Sequence, residues 1–226
     1  MRTVVITGVS RGLGAAMFDE LAGRGDRVVA IGRRFTDAQR ALAAAEPDRV
    51  TLVEVDLAGP AAPALDLAGD EVMLVHNAGV VEPIGAVGAL DADQVTATVA
   101  VNLTAPMLLT NTFLAAVPGT ATDVRILFLS SGAAQRVIGG WSVYCATKAG
   151  GEMFFAALAE QLAGDERYTV ASVNPGVMDT GMQAGIRAAS GYFPDQDRFV
   201  GLHERGELPS PESVAQKIIA THLTGK

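Results

Sequence analysis

The sequence predicts an α/β fold: a single doubly wound parallel sheet of six to seven strands with helices on both faces. Three observations carry this prediction. Short, unbroken apolar runs recur along the chain, as strands buried on both faces require. Longer segments with helical apolar spacing separate them, and that alternation builds a parallel sheet. Nearly every chemically distinctive residue falls just after one of the short runs. Ligands of such sheets sit there, outside the C-terminal strand ends.

The elements follow in order. Residues 3–7 are a β-branched run that leads into glycines and then an apolar-periodic stretch with Leu13, Met17 and Leu21, which reads as strand, tight turn and helix. Residues 28–31 form a second strand, and residues 36–45 a helix with Thr36 as its N-cap. Strands three and four are read at residues 50–55 and 72–75. Residues 91–117 are long enough for one or two helices, with Pro106 near a junction or kink. A fifth strand at 124–129, a long helix at 141–163 and a sixth strand at 168–173 follow. Ser210, Pro211 and Glu212 mark the start of a last helix, residues 210–223.

Composition bounds the function classes. With 226 residues, 49% apolar and 19% charged, the chain fits one well-buried domain, residues 1–226. A formal charge of −8 argues against a nucleic-acid partner. No run approaches the roughly 18 apolar residues of a membrane span, and the first residues lack a signal-peptide core. A lone Cys145 excludes an internal disulfide and a cysteine metal cluster, which fits a reducing, cytoplasmic compartment; three scattered histidines give no metal-ligand spacing. Cys145 itself reads as a small core residue.

The turn after the first strand is Thr7-Gly-Val-Ser-Arg-Gly-Leu-Gly14. Gly8, Gly12 and Gly14 let backbone approach a pyrophosphate, and a helix N-terminus offers free N–H groups to it. A glycine turn alone is also read as simply a tight turn. The second strand ends Gly32-Arg33-Arg34 with no acid, and Arg11 adds a cation within the loop. Cations there suit the 2′-phosphate of NADP(H), whereas NAD sites carry an acid for the ribose diol. Otherwise Arg33 and Arg34 are ordinary solvated charges. Tyr144 and Lys148 lie four residues apart at the start of an Ala-rich helical segment, hence on one face. A lysine so placed can lower a tyrosine's pKa and make it a general acid near neutral pH.

With these residues in view, the chain resembles the short-chain dehydrogenase/reductase family, a Rossmann-type fold, over nearly its whole length. Thr7–Gly14 is similar to the family's T-G-x-x-x-G-x-G loop, His76-Asn77-Ala78-Gly79 to its N-N-A-G turn, and Pro175-Gly176-Val177-Met178-Asp179-Thr180 to P-G-x-x-x-T. Ser131 stands thirteen residues before Tyr144, the family's usual spacing. The resemblance implies catalytic roles for Asn102, Ser131, Tyr144 and Lys148. It implies NADP(H) contacts from Gly8, Ser10, Arg11, Gly12, Leu13, Gly14, Arg33, Asp56, Asn77, Ala78, Gly79, Tyr144, Lys148, Pro175, Gly176, Val177 and Thr180. Asp56 would meet the adenine, Lys148 the nicotinamide ribose and Thr180 the carboxamide. Asn102 would hold a water next to Lys148. Taken singly, Ser131 also reads as a turn former, Asn102 and Thr180 as helix caps, and His76 as a packed side chain.

Three stretches narrow the likeness: residues 130–134, 144–150 and 175–183 look like the branch of sepiapterin reductases and benzil reductases that form (S)-benzoin. That branch implies an NADPH-dependent reductase of ketones or 1,2-diketones. The chain stops at Thr224-Gly-Lys226, without the C-terminal tail whose aspartate anchors pterin in sepiapterin reductases. An apolar dicarbonyl is therefore expected over a pterin, and a shortened or missing final strand. Trp141, Met178 and Met182, with Phe193 and Phe199, are candidate walls of the substrate pocket, or plain core. Residues 176–206 are expected as a substrate-side loop that closes as a lid. Family likeness further implies a homodimer through the two long helices. Other readings are a pterin, sugar or acyl-carrier thioester as substrate, or a catalytically silent NADP(H) sensor or scaffold on the same fold.

Overall fold

The computed structural model describes residues 2–59 and 62–224. Six strands are β1 (Arg2–Thr7), β2 (Arg27–Gly32), β3 (Val50–Glu54), β4 (Glu71–His76), β5 (Asp123–Leu129) and β6 (Tyr168–Val173). They form one sheet in the order β3-β2-β1-β4-β5-β6, and every pair is parallel. Among the described residues no seventh strand follows, so the predicted range of six to seven resolves to six. Eight α-helices accompany the described strands: α1 (Gly12–Gly23), α2 (Asp37–Ala45), α3 (Ala92–Val99), α4 (Ala105–Ala116), α5 (Ser142–Leu162), α6 (Gly181–Arg187), α7 (Gln196–Glu204) and α8 (Pro211–Ile218).

Side chains alternate across each central strand and so feed two cores. Val4 and Ile6 of β1 with Met73 and Val75 of β4 face Met17 and Leu21 of α1 and Ile218 of α8. Val5, Val72 and Leu74 face the other way, onto Leu109 and Phe113 of α4 and Phe155 and Leu158 of α5. Burial of each such large side chain is worth about 1.5–3 kcal/mol. Gly151 brings α5 against β5: a Cβ there would lie 2.7 Å from Phe128 Cε1 and closer still to Cζ.

The predicted caps form. Thr36 and Gln39 make a reciprocal capping box at α2, and Ser210 accepts from the Ser213 N–H with Pro211 in the first turn of α8. Arg2 and Arg125 donate to the Leu223 and His222 carbonyls, at 2.9 and 3.0 Å, and so tie down the end of the last helical segment. Pro106 does lie near a junction. Residues Ala100–Thr104 between α3 and α4 widen into a π-helical turn. Pro106 has no N–H to give the Asn102 carbonyl four residues back, which explains a local break of the α-ladder there. The continuous stretch Ala92–Ala116 is long and apolar enough by those measures to cross a membrane, contrary to the sequence expectation. In the fold it carries Leu109 and Phe113 onto the sheet and holds buried Asn102 near its middle.

Strand order reverses between β1 and β4, so a crevice opens beyond their C-terminal ends. The glycine loop leaves β1 there, and Asn77–Gly79 leaves β4.

Candidate active site

The glycine loop is a backbone cradle at the N-terminus of α1. Gly8 and Gly12 hold φ of +73° and +55°, a region that favours glycine. A Cβ on Gly14 would collide with the Gly8 carbonyl and the Asn77 amide. Asn77 Nδ2 donates to both the Thr7 and Gly8 carbonyls at 2.9 Å. Thr7 Oγ1 in turn accepts from the Asn77 and Ala78 N–H groups at 3.1 and 3.0 Å, locking the two turns together. Ser10 and Arg11 are exposed at the loop, and the Leu13 side chain lies in the core beneath it. Arg33 is exposed at the end of β2, and neither it nor Arg11 makes an ion pair or side-chain hydrogen bond among the described residues. Asp56, just past β3, is exposed and accepts from the Ala58 N–H at 3.0 Å.

The other candidate residues meet at the mouth of the crevice. Ser131 follows β5, accepts from the Ala133 N–H at 3.2 Å, and lies near enough to the Tyr144 hydroxyl to act on its pKa. Tyr144 lies in the first turn of α5, only 7% exposed. Lys148, one turn on, is 4% exposed. Its Nζ donates to the Leu129 carbonyl at 2.7 Å and lies 5.8 Å from the Tyr144 ring centre and 4.8 Å from that of Phe128. Asn102 is fully buried: its amide exchanges hydrogen bonds with the Val80 backbone at 2.7 and 2.9 Å and reaches Thr147 Oγ1 at 3.2 Å. Gly79 sits between Asn102 and Lys148, with a Cβ position 3.5 Å from Asn102 Oδ1 and 3.7 Å from Lys148 Nζ.

The electrostatics correct one expectation. Burial pushes the Tyr144 phenol above its ordinary value, with the Ser131 hydroxyl pulling it partly back and Cys145 adding to the rise. Burial also depresses Lys148, from 10.5 to about 8. Desolvation disfavours both charged forms, so near neutral pH the tyrosine rests as the phenol, not the phenolate, while Lys148 stays mostly protonated and loses its proton near pH 8. His76 is a packed histidine. Its Nε2 lies 2.9 Å from Thr110 Oγ1, its ring 5.3 Å from that of Phe155, and burial with nearby Lys148 lowers its pKa to about 3.

On the substrate side, residues 176–206 are not an irregular loop. Thr180 caps α6 by accepting from the Gln183 N–H at 3.3 Å, and α7 follows. Thr180 also faces the glycine loop, its methyl 3.2 Å from a Cβ position on Gly12. Pro175 and partly buried Val177 flank exposed Gly176, whose φ is +79°. Trp141 stacks on Phe193 at 5.2 Å, tilts against Phe199 at 5.3 Å and meets Tyr144 edge-on at 5.4 Å. Met182 packs against this group, whereas Met178 does not: it joins the core with Leu13 and Met17, and is a packing residue. Cys145 is partly buried and packs against the same cluster, at the edge of the core and not within it as the sequence reading expects.

Some of the site escapes a motif search. Glu152 continues the 144–148 stripe by one more turn, and its carboxylate accepts from Ser130 Oγ at 2.6 Å and Gln135 Nε2 at 3.4 Å, bracing the turn that carries Ser131. The repeated spacing of four was the available signal. Nothing local in the sequence marks Thr147 or Thr7 as a partner.

The residues fit a nicotinamide dinucleotide: a glycine cradle at a helix N-terminus, two unpaired arginines beside it, and a buried lysine with only one of its three protons engaged. Comparison with known proteins agrees. The family profile described as short chain dehydrogenase matches residues 2–191. A benzil reductase ((S)-benzoin forming) of Bacillus cereus is 35% identical, covering 96% of this chain and 92% of that protein. The sepiapterin reductase of Bos taurus is 31% identical, with 96% and 87% covered. The crystal structure of the KRED1-Pglu enzyme matches with a TM-score of 0.84 at 31% identity, covering 100% of this chain and 96% of that one. The chain belongs to the short-chain dehydrogenase/reductase family, oxidoreductases that act on CH–OH and C=O groups with nicotinamide cofactors.

Proposed function

We propose that the chain is an NADPH-dependent carbonyl reductase for ketones and 1,2-diketones of the benzil type. One observation carries the reading. The Ser131 hydroxyl and the Tyr144 phenol come together beside a buried Lys148 and against an aromatic wall. Bound NADPH supplies the hydride for the carbonyl carbon. Tyr144 donates its proton to the carbonyl oxygen as negative charge develops, and Ser131 hydrogen-bonds that oxygen. Lys148 would hold the ribose, and its ammonium stabilises the phenolate left when Tyr144 gives up its proton. Asn102 fixes Val80 and Thr147 around Lys148, and by family likeness would hold a water beside it. Arg33 and Arg11 meet the 2′-phosphate.

The diketone is favoured by the aromatic wall and by likeness to the Bacillus cereus benzil reductase. Exposed Val99, Leu108 and Met153 lie on α3, α4 and α5, and a homodimer through these helices fits that apolar surface. The test is loss of NADPH absorbance with benzil, with NADH and with a sepiapterin, sugar and acyl-thioester panel alongside. Turnover of benzil with NADPH is expected; consumption with none of the panel refutes the enzymatic reading, and turnover of another carbonyl alone replaces the substrate.

A further inference from the structure

The aromatic wall beside Tyr144 is not purely apolar. Trp141 is 4% exposed, and its indole Nε1–H is buried with no hydrogen-bond partner among the described residues. Gln183 of α6, 2% exposed, is in the same condition on its acceptor side: its Nε2 donates to the Phe199 carbonyl at 3.2 Å, and its Oε1 has no partner. Phe199 is the residue that both touch, since its ring is 5.3 Å from that of Trp141. A simple core would leave both groups desolvated without return, and buried polar atoms are rarely left so. A few convergent polar atoms set in an apolar lining are instead what a ligand's polar groups are recognised by. The indole is also close to the chemistry. It precedes Tyr144 by three residues on the entry to α5 and meets the phenol edge-on, ring centres 5.4 Å apart.

We infer that Trp141 is a specificity-determining residue: its indole N–H donates to a second oxygen on the substrate, next to the carbonyl that Tyr144 protonates. The selected class is therefore ketones with an adjacent acceptor oxygen, 1,2-diketones above all, over monoketones of the same shape. This rests on the carbonyl-reductase reading and deepens it. Discrimination by a lost hydrogen bond arises because the unpaired donor stays buried when the partner oxygen is missing.

The chain has one tryptophan, so a tryptophan analogue supplied during expression enters at position 141 alone. Replacing it with benzothienylalanine keeps the bicyclic shape and removes the N–H; Trp141→Phe removes it with a smaller ring. Both are compared with the parent on benzil and on deoxybenzoin, which has the same two rings and one carbonyl. The readouts are kcat/KM with NADPH and Kd with oxidised cofactor. The ratio between substrates cancels their intrinsic reactivities, and turnover of deoxybenzoin reports that the variant is folded. Loss of the N–H is expected to lower the benzil-to-deoxybenzoin ratio about tenfold in at least one readout. A ratio unchanged in both readouts, whether the two substrates fall together or not at all, overturns the inference while the parent's benzil turnover keeps the carbonyl-reductase reading. A parent that reduces deoxybenzoin or another carbonyl of the panel but no diketone also overturns the inference and leaves the carbonyl-reductase reading standing; a parent that reduces no carbonyl overturns both.

Discussion

Lys148 offers a quantitative test of how the site is built, independent of any substrate. Its amine is buried under Tyr144, and burial lowers its pKa from 10.5 to about 8. Below pH 8 the amine is protonated in both folded and unfolded chains, and the folded state bears the full cost of the buried charge, about 3 kcal/mol. Between about 8 and 10.5 the folded chain has released the proton and the unfolded chain still holds it. Stability therefore rises with pH through this window, the reverse of a lysine held in an ion pair. From pH 7.5 to 9.5 the gain is about 2 kcal/mol. Two other buried groups stay outside that range: His76, lowered to about 3, titrates well below it, and the Tyr144 phenol is raised from 10.0. The perturbation is Lys148→Met, which keeps the length of the side chain and cannot titrate. Urea unfolding of both proteins without cofactor at pH 7.5, 8.5 and 9.5 gives the difference in stability at each pH. That difference should shift in favour of the parent by about 2 kcal/mol across the series. Parallel curves would falsify the description of Lys148 as a desolvated amine.

Two further substitutions probe other parts of the account. Arg33→Asp places an acid where the 2′-phosphate is proposed to sit; the preference for NADPH over NADH should fall at least about tenfold, from the ratio of kcat/KM values. Because Arg33 is exposed and unpaired, the melting temperature should hardly move. Gly151→Ala drives a methyl into Phe128, which is stacked on Phe155 at 4.8 Å, and should cost about 1–3 kcal/mol by denaturant unfolding. Gly164→Ala, with open space around it, is the control and should cost far less.

Much of this molecule is legible from sequence, because its local and global signals agree. Apolar runs such as Val72–Leu74 can only be central strands, and the structure buries them completely. Thr36 and Ser210 announce their helices through hydroxyls that the first-turn N–H groups need. The spacings that join Ser131, Tyr144 and Lys148 bring those side chains into one place, because β5 and α5 are adjacent and spacing within each is rigid. What escaped depends on long-range packing. Whether Met178 faces the pocket or the core is decided by how residues 174–180 cross the sheet edge, and no periodicity reports that. Residues 176–206 look irregular because they are rich in Gly, Asp and Arg, yet α6 and α7 form by capping and by docking Ile186 and Phe199 on the Trp141 cluster. The direction of the Tyr144 shift is not legible in the sequence, because spacing shows the lysine and hides the burial. The π-turn around Asn102 was half visible, in Pro106.

The central claim is that the Tyr144 hydroxyl delivers the proton. The direct measurement is single-turnover oxidation of NADPH by benzil in Tyr144→Phe, paired with an NADPH binding titration. The account predicts cofactor affinity close to the parent's and a rate lower by about 100- to 10,000-fold. A rate near the parent's, with NADPH bound, would contradict it.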